Sequence, residues 1–279
     1  MIDLIRWENK TMKITRRSHL ALAALQIAAT LFSLSASGCF PMGAFRTRER
    51  VAVRADVTQE YDIPDLNMYG DWVVVAHYGR VWRPSVVEGW RPFYHGHWAY
   101  ADEGWTWISY EPFGWITYHY GNWYPSPEFG WVWIPGHGTW SPARVQWVQY
   151  GDYVGWAPLA PAGVRWGRPW ERSQFDVWAV VHTNDIDRDY IGRRRIARAD
   201  IRFDAEHEKV FDQSPEPRMI EGRVQHKIEK VRINRETVVI GKGEFHKVVV
   251  SDRERGRVDK YKASVERDVV KRPNQGEHR

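Results

Sequence analysis

Tryptophan returns on a fixed step through the middle of this chain, and that period limits the folds open to it. Trp72, Trp98 and Trp123 each follow a Gly-x pair, at spacings of 26 and 25 residues, while Trp82, Trp107 and Trp133 recur at 25 and 26. Gly-Trp pairs add Trp90 and Trp115 at a spacing of 25, Trp105 and Trp131 at 26, and Trp131 and Trp156 at 25. "GWRPFYHGHWAYADEGWTWISYEP" and "GWITYHYGNWYPSPEFGWVWIPG" are therefore two copies of one unit. A partial copy, "YGDWVVVAHYGRVWRP", precedes them, and a degenerate one ending "YGDYVGWAPLAP" follows. Self-similarity at about 20–50 residues is the mark of a repeat architecture.

Inside a unit the spacing is that of strands. Trp105-Thr106-Trp107 and Trp131-Val132-Trp133 put two indoles on one face, because strand side chains alternate with period two. Between them lie turn compositions, "ADEG", "YEPFG" and "SPEFG". The composition agrees: 17 Trp and 13 Tyr among 279 residues, with Leu scarce, disfavour a helical bundle and favour aromatic packing across a pleated surface. Glycine beside each indole lets backbone or ring approach closely, since it has no Cβ. The fold expected is mainly β, with Trp-rich antiparallel hairpins of period about 25 over residues 69–161. A smaller α+β region over 162–251 and a charged tail over 252–279 follow.

The run from "YGDWVVVAHYGRVWRP" through "GWVWIPG" to "YVGWAPL" resembles an exported bacterial family, domain-of-unknown-function family 6600. The match spans about Tyr69 to Pro161, and a looser likeness continues through "WAVVHTNDIDRDYI" and "SPEPRMIEGRVQHKIEKVRI". That family has no established activity, so the resemblance implies export and architecture and no mechanism.

The N-terminus carries its own signal. Lys13, Arg16 and Arg17 form a basic start, Leu20–Leu34 an apolar run, and Ser35–Gly38 a small-residue tail, the layout of a secretory signal peptide. Asp3 and Glu8 fit such a start poorly, which makes Met12 an alternative first residue. The apolar run, broken by Gln26, is short of the roughly 20 residues a spanning helix needs. Cys39, the sole cysteine, follows Ala-Ser-Gly as in a bacterial lipobox, although Ala36 stands where Leu is usual. A lone thiol exported to an oxidising compartment lacks an intramolecular partner, and lipidation accounts for it. The expectation is a signal peptide over 1–38, lipidation of Cys39 and a linker over 39–68. Phe40 after the cysteine points to the outer membrane, facing the periplasm.

Beyond the repeats, "FDVWAVVHTNDI" reads as a buried strand and turn, Asp185–Gly192 as a short helical turn, and "SPEPRMIEGRV" as a helix with Met219, Ile220 and Val224 on one side. "IEKVRI", "ETVVIG" and "HKVVVS" read as strands. From Asp252 onward, Val258, Tyr261, Val265 and Val269 are helically spaced, yet so few apolar groups predict a marginal helix and a poorly ordered tail. The net charge of +5 comes from basic residues interleaved with acids rather than a single-sign stripe, so no nucleic-acid partner is expected.

Enzyme signatures are mostly missing. Gly241-Lys242-Gly243 is too short for a phosphate loop, and neither Gly-x-Ser-x-Gly nor His-Glu-x-x-His occurs. No cofactor is called for. His95 and His97 share a face at strand period, and with His77, His119 or His137 they could ligate zinc, which would make an envelope hydrolase. The bland alternative places them in the aromatic lattice. The turn acids Glu88, Asp102, Glu103, Glu111 and Glu128 read as solvated. The favoured function is a non-enzymatic envelope module that binds a glycan such as peptidoglycan, or an envelope protein, through aromatic residues. Most indoles are needed as core, and those nearest turns, Trp90, Trp115, Trp140 and Trp147, are the candidate partner-binding side chains.

Overall fold

The computed structural model describes residues 63–136, 138–171, 176–206, 209–224, 226–241 and 243–270. The expected signal peptide, Cys39, most of the 39–68 linker, His137 and residues 271–279 lie outside the described residues. Among the described residues no helix is long and apolar enough to cross a membrane.

A short helix, α1 (Pro64–Tyr69), leads into four hairpins. They are β1 (Gly70–Val75) with β2 (Gly79–Pro84), β3 (Gly96–Ala101) with β4 (Gly104–Ser109), β5 (Asn122–Ser126) with β6 (Gly130–Ile134), and β7 (Val145–Tyr150) with β8 (Tyr153–Pro158). One turn of helix, α2 (Gly114–Thr117), separates the second and third. Every hairpin sets two tryptophans directly opposite each other: Trp72↔Trp82, Trp98↔Trp107, Trp123↔Trp133 and Trp147↔Trp156. The sequence period is thus a period of cross-strand indole pairs, the unit from which a sheet draws its side-chain stabilisation.

The glycines take their place from the same pairing. A Cβ on Gly70 would stand 2.5 Å from the Trp82 ring, one on Gly96 2.6 Å from Trp107, and one on Gly121 2.7 Å from Trp133. Each glycine two residues before the first indole of a pair is therefore roofed by the second. Side chains at these positions would lift the rings off the strand.

The first and third hairpins join through β2 and β6, where Trp82 opposes Trp133, giving the order β1-β2-β6-β5. The fourth extends to β9 (Ala179–His182) and β10 (Val210–Phe211), giving β10-β7-β8-β9. Helix α3 (Pro217–Val224), a hairpin of β11 (Asn234–Ile240) and β12 (Gly243–Val249), and helix α4 (Asp252–Asp268) complete the chain. Ile220, Phe245, Val265 and Val269 bury themselves in the same cluster as Trp82, Trp98 and Trp107. The stretches 69–161 and 162–251 and the helix after them consequently share one core.

Three expectations are corrected. "IEKVRI" forms no strand and contributes only one isolated bridge, Lys230 to Tyr100. Met219, grouped with Ile220 and Val224, is instead exposed. The tail from Asp252 is an ordered 17-residue helix through Asp268. Ser251 caps its N-terminus through the Glu254 N–H, and Val265 and Val269 pack into the core.

Candidate functional site

The polar centre of the molecule grows from the second hairpin. Gly96 is pressed beneath Trp107, and the residues flanking it, His95 and His97, share the face turned toward α4. His97 is fully buried, with Nδ1 2.9 Å from the Tyr110 hydroxyl and Nε2 in a short contact with Glu254 Oε2. His95 lies 3.4 Å from Glu111 Oε1 through Nδ1 and 3.5 Å from Asp268 Oδ2 through Nε2. Glu254 and Asp268 are 14 residues apart in α4, close to four helical turns, which places both on one face. Two imidazoles flanking Gly96 thus meet both ends of the helix.

The partners assign the protons. Glu254 also accepts from Arg257 Nη1 at 3.1 Å, and Arg257 Nε donates to Asp189 at 2.5 Å. Beside that guanidinium Glu254 stays ionised: burial opposes its charge, but His97, Arg257 and Arg253 outweigh it and hold it below its ordinary value. Burial, with Arg257 adding to it, pulls His97 below the usual imidazole range against Glu254. A neutral His97 then donates from Nε2 to Glu254 and accepts from Tyr110 at Nδ1. The Tyr110 hydroxyl in turn accepts the Tyr190 N–H at 3.3 Å. His95 behaves oppositely, because Glu111 and Asp268 hold it above the ordinary value despite burial.

Glu111, read from the sequence as a solvated turn acid, is buried. Its carboxylate accepts from Trp90 Nε1 at 2.6 Å and from the Tyr118 hydroxyl. Asp102 and Glu103 do sit at a surface turn, paired with Lys230 and Arg235. His119 is sealed against the Ser141 carbonyl, and burial pushes it down to about 4. His77 is exposed in the β1–β2 turn. Among the described residues no group of three or more His, Cys, Asp or Glu is placed to hold a metal ion. Both nitrogens of His97 are already engaged, so a metal there would have to displace Tyr110 or Glu254.

The four candidate tryptophans divide. Trp90 and Trp140, expected at the surface, are each only 6% exposed. Trp90 turns inward to give its N–H to Glu111 and lies edge-on to Phe113. Trp140 stacks on His119 at 5.1 Å, with the Arg235 guanidinium 4.5 Å from the ring centroid. Nearness to a turn failed as a guide because a loop indole can fold back under its own hairpin. Trp115 and Trp147 are half-buried, and each lines a concavity.

Trp115, with the Lys247 ammonium 5.8 Å from its ring, borders a cavity of about 560 Å³ between the β domain, β12 and α4. Val248, Val258, Val265 and Val269 give it apolar walls, while Lys247, Arg255 and Lys262 are balanced by Asp259, Glu266 and Glu111. Trp147 borders a groove of about 540 Å³ together with Trp166 and Trp178. The sequence reading missed Trp166 and Trp178, which lie outside the repeats.

Fold and site together define a class: a body of paired-indole β-hairpins closed by a C-terminal helix on a histidine–carboxylate clamp. Residues 63–163 match the model of a family of unknown function, DUF6600. No curated protein and no solved structure matches the chain.

Proposed function

We propose that this protein is a non-enzymatic binding module of the bacterial cell envelope, exported and anchored through a lipid on Cys39. The observation that carries the binding reading is the division among the tryptophans. Eleven of the sixteen described indoles are buried, and of the four turn-side candidates the two that keep surface, Trp115 and Trp147, both line concavities in the size range of ligand sites. Supporting it, the buried His97 and Glu254 are matched to each other across the α4 contact, and buried Glu111 is held by Trp90 and Tyr118.

Two experiments test this reading. Purified protein should be retained on cell-wall sacculi or on an envelope-protein fraction, and Trp115→Ala or Trp147→Ala should weaken retention at least severalfold. Trp90→Ala and Trp140→Ala should instead lower thermal stability by about 3 kcal/mol, as core truncations do. Unchanged retention in both surface variants would remove the proposed surface. For the anchor, mass spectrometry of the mature N-terminus should find an acylated Cys39, and a free N-terminus at another residue would end that part of the proposal.

A further inference from the structure

The groove beside Trp147 has a chemistry that the cavity under α4 lacks. Strand β10 pairs only with Tyr150 and Gln149 of β7, so the first half of β7, Val145–Val148, borders an open edge. Trp147 lies against this edge, packed on Trp98 with ring centroids 4.4 Å apart. Trp166 and Trp178 form the other wall, and their ring N–H groups are committed inward. Trp166 donates to the Pro158 carbonyl at 2.6 Å, and Trp178 to the Gly167 carbonyl at 2.7 Å. With their polar atoms fixed in this way, the rings are held in place before any ligand arrives, and ordering them costs binding little.

The polar groups of the groove are planar and placed among these rings. The side chains of Gln146 and Arg165 line it and make no hydrogen bond or ion pair among the described residues. Arg168 and Asp212 face each other in a two-armed pair, one arm at 2.8 Å. Asp212 remains well exposed and keeps lone pairs for a further donor. Flat apolar rings beside an amide, a paired carboxylate and a free guanidinium suit a ring that is apolar on its faces and hydroxylated at its edges. The unpaired Arg165 adds complementarity to an anion, most strongly to a carboxylate.

We propose that this groove is a subsite for a saccharide bearing a carboxylate, with Trp147 as its stacking platform and Arg165 as its anion-reading residue. This rests on the binding-module reading and narrows it to one ligand class and one site.

Calorimetric titration of the full chain tests it with two soluble probes. One is the neutral trimer of N-acetylglucosamine, and the other is the disaccharide of N-acetylglucosamine and N-acetylmuramic acid, whose lactyl group carries the carboxylate. The disaccharide should bind at least tenfold more tightly than the trimer. Arg165→Ala, which removes no hydrogen bond or ion pair among the described residues, should erase that preference. Trp147→Ala should weaken both at least tenfold, and Trp147→Phe, which keeps a ring on Trp98, should restore most of the loss. If neither sugar binds yet sacculi retain the protein, the saccharide subsite is wrong and the envelope reading stands. Retention that survives glycan cleavage but is lost on peptidase treatment would assign the open β7 edge to a peptide and overturn the proposal. Failure on sacculi, envelope protein and sugars together would remove both readings.

Discussion

Gly96→Ala should lower the melting temperature by roughly 6–12 °C, the shift expected for about 3 kcal/mol in a body of this size. The added Cβ would stand 2.6 Å from the Trp107 ring, and closer still to the Ile108 carbonyl. Neither neighbour can yield: the carbonyl is backbone in the β3–β4 ladder, and Trp107 is wedged among Phe93, Trp98 and Tyr118. Gly96 has no positive φ to relieve, so the effect isolates packing from backbone conformation. Gly256→Ala is the counterpart. It lies within α4 with nothing within 4 Å of its added Cβ, and should stabilise the protein by about 0.5–1 kcal/mol through helix propensity alone. Calorimetric melts of both variants settle the point. A Gly96→Ala protein melting within a degree of the parent would falsify the view that glycines are the floor on which the paired indoles lie.

The hairpins could be read from the sequence because their information is local. A Gly-x-Trp triplet, a turn composition and indoles at strand spacing suffice to place strands and turns, and the structure forms hairpins there. The parts that escaped are those whose partners are remote. Trp90 looked like a turn residue because its acceptor, Glu111, lies 21 positions on. Helix α4 looked marginal because docking strength was counted in apolar groups. The sequence shows its Val258, Tyr261, Val265 and Val269, but not that its acids meet His97 and His95 from 157 and 173 residues away. The two histidines were visible as a pair on one face. What they faced, Glu254 and Asp268 of α4, was not. Similarly, Trp166 and Trp178 carry no repeat signal, and only the folded sheet brings them beside Trp147.

His97→Ala should cost about 3 kcal/mol at neutral pH, since it removes the neutral N–H donor to a buried carboxylate and leaves Glu254 sealed from water with Arg257 as its remaining partner. The loss should concentrate in α4, whose Arg253, Arg255, Arg257, Lys260, Lys262 and Arg267 would become open to trypsin. Acid should shrink the difference between the two proteins. The folded chain holds His97 below the ordinary imidazole value, chiefly by burial, so on acidification the unfolded chain takes up that proton first. The contribution of His97 is therefore complete above about pH 6.5 and is lost as the pH falls below it. Glu254, held low despite its burial, contributes fully above about pH 4.3 and loses its share as the pH falls through its folded value. His95 runs the other way: its raised value contributes fully below about pH 6.5 and fades as the pH rises through the folded value. Because His95 is present in both proteins, its effect cancels in the comparison. Denaturant unfolding of wild type and His97→Ala at pH 7.5 and pH 5 should thus show the stability gap narrowing in acid. A gap that stays constant or widens in acid would mean that His97 is held charged, and the neutral, hydrogen-bonded clamp on α4 would have to be abandoned.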